Sequence, residues 1–113
     1  MIKGAAAEKS KAFAIRIINL YKYLQNNKEF ILSKQLMRSG TSIGANITEA
    51  NYAQSKPDFV SKMSIALKEA AETAYWLELL FETNYITKEQ YISINNDCLE
   101  LIRILTATVK NSK

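Results

Sequence analysis

Apolar residues recur along this chain in four runs at helical spacing, separated by short polar breaks. In the first run Phe13, Ile17, Leu20 and Leu24 stand four, three and four residues apart. They form one stripe on a helix expected from about Glu8 to Asn26. Asn26-Asn27 then supplies residues that tolerate a left-handed stop. A second helix is expected from about Glu29 to Ala53, with Leu32, Leu36, Ile43, Ile47 and Ala50 as its core stripe and Ser39 and Gly40 filling the gap. Ser55-Lys56-Pro57-Asp58 restarts the chain, because proline suits the first helical position and an aspartate suits the positive end of the helix dipole. The third helix carries Phe59, Met63, Ala66, Ala70, Leu77 and Phe81 to about Thr83, with Asn84 as its C-terminal cap. Thr87-Lys88-Glu89-Gln90 reads as a capping box, and Tyr91, Ile94, Cys98, Leu101, Leu105 and Val109 continue as a bundle seam. Short connections between long helices make neighbours antiparallel. The expected fold is all-α, an up-down-up-down four-helix bundle, in one domain spanning 1–113.

Two positions on the second helix need a reason. Gly40 and Gly44 each cost about 1 kcal/mol relative to alanine inside a helix. Close approach of another helix backbone explains them, and a hinge is the alternative.

Several helices also carry apolar residues off the core stripe: Ile15 and Ile18 on the first, Ile65, Trp76 and Leu79 on the third, and Ile92, Leu99 and Ile104 on the fourth. Aligned second stripes form a contiguous patch, and such patches mark interfaces. Self-association is the economical reading; a different partner or a wide core is the alternative.

Composition narrows the chemistry. The 113 residues hold three glycines and one proline, too few for the turns of an all-β fold. There is no histidine, which removes histidine acid–base chemistry, the Ser-His-Asp triad and histidine metal ligation. The single Cys98 permits neither an internal disulfide nor a thiolate zinc cluster, and its place on the last stripe makes it a buried thiol rather than a nucleophile. No catalytic residue, metal or cofactor is expected. No run reaches the roughly 18 apolar residues of a membrane span, and no signal segment opens the chain, so a reduced cytoplasm is the default location.

The net charge is +4. Up to residue 34 Lys3, Lys9, Lys11, Arg16, Lys22, Lys28 and Lys34 face only Glu8 and Glu29, so the positive excess sits in the first third. Lys11 and Lys22 project together on one flank of the first helix, Lys9 and Arg16 on another. The excess marks either a polyanion-binding face or a solvated helix surface. Tyr21 and Tyr23 either stack on bases or are buried at a helix interface.

The stretch 35–50 carries a second polar pattern. Arg38, Ser42, Asn46 and Glu49 lie along one side, flanking the apolar stripe. An antiparallel third helix brings Arg38 near Glu72, Glu69 near Ser42, and Asn46 near Ser64 or Ile65. A partly buried network that sets helix register is the leading reading; a small-ligand site is the alternative.

These residues also carry a resemblance. Gln35-x-x-Arg38-Ser39-x-x-Ser42-Ile43-x-x-Asn46-Ile47-x-Glu49-Ala50 closely resembles the signature of the bacterial four-helix-bundle family named for the 23S rRNA intervening sequence. Phe59-x-x-Lys62-x-x-Ile65-Ala66-x-x-Glu69-Ala70-x-Glu72-Thr73-x-Tyr75-Trp76-Leu77 looks like its second block. Ala50 departs from the glycine frequent in the family. The resemblance covers almost the whole chain and implies a homopentamer arranged as a barrel around a channel. A structurally similar relative, the accessory protein of diversity-generating retroelements, binds nucleic acid and a reverse transcriptase. The expectation is a non-enzymatic homo-oligomer binding RNA or DNA through Lys9, Lys11, Arg16 and Lys22. The alternative is a scaffold that docks a protein partner without nucleic acid.

Overall fold

The computed structural model describes residues 4–113. Among these, four helices and no strand are present: α1 (Ala5–Asn26), α2 (Leu32–Ala50), α3 (Lys56–Glu82) and α4 (Lys88–Ser112). Each helix packs on the helices beside it, with α4 closing back on α1, and the backbones of the diagonal pairs stay apart. The bundle is 44 Å long and 19 Å across in both other directions. Of the sequence features, only Met1–Lys3, and with it Lys3 of the basic excess, lies outside the described residues.

The core follows from the stripes. Phe13, Ile17 and Leu24 from α1 meet Leu36, Ile43 and Ile47 from α2, Met63, Ala66, Ala70 and Leu77 from α3, and Ile94, Cys98, Leu101 and Leu105 from α4. Some stripe edges shift. Leu20, Leu32, Phe59, Phe81 and Tyr91 are only half-buried, whereas Leu80 and Thr73 are fully enclosed. Thr73 can sit there because its hydroxyl meets Ser39 Oγ at 2.8 Å and donates to the Glu69 carbonyl at 2.8 Å. Phe81 and Tyr91 instead stack at the rim of the α3–α4 seam, centroids 4.7 Å apart.

Gly40 and Gly44 both face α1. A Cβ at Gly40 would lie 2.8 Å from Ile17 Cγ1, so the two helices meet backbone to side chain at that level. Gly44 faces Ser10 with ordinary room.

The helix ends correct three expectations. First, α1 begins at Ala5, a turn earlier than Glu8. Second, its left-handed stop falls on Lys28 (φ 62), not on Asn26-Asn27. The Glu29 and Lys28 amides donate back to the carbonyls of Leu24 and Gln25, the Schellman pattern. The α3 terminus repeats it, with Asn84 at φ 69 and Tyr85 and Asn84 donating to Leu80 and Phe81. Third, α2 runs over Leu32–Ala50 rather than from Glu29 to Ala53. Glu29 stays outside because its buried carboxylate serves the helix start, accepting from the amides of Ile31 (3.1 Å), Leu32 (3.0 Å) and Ser33 (2.6 Å). At the other restart, Ser55 accepts from Asp58 N ahead of Pro57, and Thr87 and Gln90 complete the capping box.

Candidate functional site

The first-helix cations divide. Lys9 Nζ lies 3.1 Å from Glu100 Oε2, and Arg16 Nη1 lies 2.7 Å from Asp97 Oδ2 while also reaching Ser93. Both bridge α1 to α4 at the surface, each beside a carboxylate. Lys11 and Lys22 are exposed and have no ion-pair partner among the described residues. The acids that bind Lys9 and Arg16 sit some eighty to ninety residues further on, so single-helix periodicity had no signal for the pairing.

On the opposite flank the structure brings Arg38 to Glu72, with Arg38 Nη1 also 3.3 Å from Glu69 Oε1. Trp76 Nε1 donates to Glu72 Oε2 at 2.8 Å. The hydrogen bonds from Trp76 and then Arg38 hold the Glu72 carboxyl below its ordinary range, and Glu72 in turn raises the Arg38 guanidinium. The Arg38 side chain is nonetheless half exposed, at 50%. The rest of the expected network does not form across the helices. Ser42 Oγ donates to the Arg38 carbonyl at 2.6 Å and Asn46 Nδ2 to the Ser42 carbonyl at 2.8 Å. Short polar side chains in a helix find their own preceding turn first. Glu69 turns to Arg38 rather than Ser42, and Glu49 pairs with Lys62 at 3.4 Å. The stripe is thus a ladder of local bonds with ion pairs to α3 at its two ends.

The strongest polar constellation was not anticipated. Burial raises the Glu29 carboxyl, but hydrogen bonds from Leu32, Ser33 and Ile31 and from the Ser33 hydroxyl outweigh it, leaving a net depression. Gln25 Nε2 adds a bond to Ser33 Oγ at 2.8 Å. This is a helix start with every acceptor used, not a reactive acid. A glutamate immediately before the apolar run Phe30-Ile31-Leu32 was the available sign.

Cys98 donates to the Ala70 carbonyl at 3.3 Å, and burial pushes its thiol up to about 12. Such a group is inert at neutral pH. No cluster of three metal-ligating side chains occurs among the described residues, and no described helix is long and apolar enough to cross a membrane. A surface groove of about 540 Å³ runs between α1 and α4 past Arg16, Tyr23, Glu89 and Ser93.

The apolar residues set aside from the core stripes stand partly outside. Ile15 is 52% exposed, Ile65 38%, Ile92 46% and Leu99 39%. Ile18 and Leu79 are half-buried, and Trp76 leans on the core from the edge.

These features define an all-helical protein whose side-chain chemistry is spent on capping, register and surface. The chain belongs to the family of 23S rRNA-intervening sequence proteins, whose model matches residues 4–107. It is also similar to a protein of unknown function from the S23 ribosomal protein family of Bacteroides thetaiotaomicron VPI-5482, known from a crystal structure. The two share 61% identity over 94% of this chain and 99% of that one, with a TM-score of 0.93. No curated protein matches significantly.

Proposed function

We propose that this protein is a non-enzymatic cytoplasmic homo-oligomer, a pentamer by family resemblance, that binds the backbone of RNA or other nucleic acid electrostatically. The observation carrying this reading is the set of lysines without a carboxylate partner. Lys11 and Lys22 lie on the outside of α1, and Lys28, Lys34 and Lys88 lie at the end of the bundle that carries the α1–α2 and α3–α4 turns. Glu29, next to Lys28, is turned inward and satisfied by amides, while Glu82 and Glu89 stay exposed at the same end. Each lysine that neutralises a phosphate releases counterions, so affinity falls steeply with salt. No known base-reading motif stands among the described residues, and the expected binding tolerates sequence.

The internal use of Lys9 and Arg16 favours one second reading, a scaffold that docks a protein partner. Titration with short single- and double-stranded RNA and DNA across a salt series separates the two. Uptake that weakens steeply with salt supports the first. A protein that ignores every strand at low salt leaves the scaffold.

A further inference from the structure

We propose that the nucleic acid this protein binds is single-stranded, and that its bases stack on aromatic rings exposed at the end of the bundle that carries the α1–α2 and α3–α4 turns. The proposal rests on the nucleic-acid reading above and deepens it, adding to the phosphate contacts a contact that an intact duplex cannot make.

Four large apolar side chains stand open at that end. Phe30 (48% exposed) and Ile31 (77%) lie in the α1–α2 turn, Tyr85 (39%) in the α3–α4 turn, and Tyr23 (41%) on the last turn of α1. At the opposite end Tyr52 is the one such side chain among the described residues. The turns themselves keep the rings outside. Glu29 takes the inward position of the first, its carboxylate spent on the amides of Ile31, Leu32 and Ser33, and Phe30 is left facing water. Ile86 takes the inward position of the second, and Tyr85 is left out in the same way. Every nucleobase has a π-face, so stacking on such rings tolerates sequence; in a duplex those faces are already covered by neighbouring bases.

Cations frame the rings. Lys28 and Lys34 bracket Phe30 and Ile31 in the chain, Lys22 precedes Tyr23, and Lys88 opens α4; none has an ion pair among the described residues. The exposed acids of this end, Glu82 and Glu89, belong to α3 and α4, so phosphates are led along the α1–α2 side. The groove between α1 and α4 opens beside Tyr23, between Leu20 and Ile86, and its volume of about 540 Å³ suits one nucleotide. Asn19 on its wall has no side-chain hydrogen bond among the described residues and can both donate to and accept from a base edge. An anionic bilayer would also suit Phe30 and Ile31 between lysines. A ring on the side of α1 and a groove between helices fit a flexible strand and not a flat surface.

The test is fluorescence anisotropy at fixed low salt with a short oligoadenylate, an abasic strand of the same phosphate count, and the oligoadenylate paired with its complement. The wild type is expected to bind the oligoadenylate about tenfold more tightly than the abasic strand, and more tightly than the duplex. Phe30→Ala and Tyr85→Ala are each expected to remove several-fold of that advantage with abasic binding unchanged. Lys28→Gln together with Lys34→Gln is expected to weaken all three probes and flatten the salt dependence. The comparison of probes uses the wild-type chain, so it stands even where a variant fails to fold. Equal affinity for the oligoadenylate and the abasic strand, or a preference for the duplex, overturns the stacking end and leaves the electrostatic reading. No uptake of any strand at low salt overturns both, and uptake by phosphatidylglycerol vesicles that Phe30→Ala abolishes would then assign the same tip to a membrane.

Discussion

A side chain at Gly40 would place its first carbon 2.8 and 2.9 Å from Cγ1 and Cγ2 of Ile17, whereas the same carbon at Gly44, one turn on, would meet Ser10 Oγ at 3.4 Å. Two glycines on one helix face therefore carry opposite consequences. At Gly40 the contact is with a fully buried, β-branched side chain whose rotamer is fixed by packing. Gly40→Ala is expected to destabilise the bundle by about 1–3 kcal/mol through overpacking. Gly44→Ala is expected to be neutral or to stabilise it by up to about 1 kcal/mol, through helix propensity alone. Urea melts of the two variants check the contrast, and equal losses would mean that α1 sits equally close at both levels.

Lys28 occupies a left-handed conformation (φ 62) that glycine adopts without steric cost. Lys28→Gly is expected to raise stability by about 1 kcal/mol, since the Schellman bonds use backbone atoms only. A lower melting temperature would show that the lysine side chain holds the turn.

Glu29 ties its pH response to the start of α2. Its folded carboxyl titrates below the ordinary 4.5, so its contribution is present above that value and is lost as pH falls through the lower folded one. Glu29→Gln is expected to cost about 1–2 kcal/mol at neutral pH, with the difference from wild type shrinking in acid. Paired melts at pH 7 and pH 3 measure this; a pH-independent difference would count against the charged cap.

The Arg38–Glu72 pair is half open to water, which limits its worth. Arg38→Ala is expected to cost less than about 1 kcal/mol in chemical denaturation. A loss several times larger would show that a second chain buries the pair.

Cys98 is expected to resist a thiol reagent in the native protein at pH 8 and to react fully in denaturant, because burial keeps the thiol protonated. Prompt native labelling would expose the α3–α4 seam as open.

The four helices, their order and most core positions were readable from residue spacing, because a helix exposes its burial face at a fixed period. The proline restart at Pro57 and the Thr87–Gln90 capping box were readable for the same reason, both being chemistry within one turn. The Arg38–Glu72 pairing also followed, once a turn around Gln54–Lys56 folded α3 back on α2. Features that depend on how two distant segments meet were not. Lys9 and Arg16 look like free cations until α4 brings Glu100 and Asp97 beside them. Ser42 and Asn46 flank the apolar stripe of α2, but they bond to carbonyls of their own preceding turn. Glu29 reads as the first residue of a helix until its carboxylate is seen folded over the amides that follow. Local periodicity is written in adjacent residues; which charge is spent, and against what, is settled by contacts between residues that only packing makes neighbours.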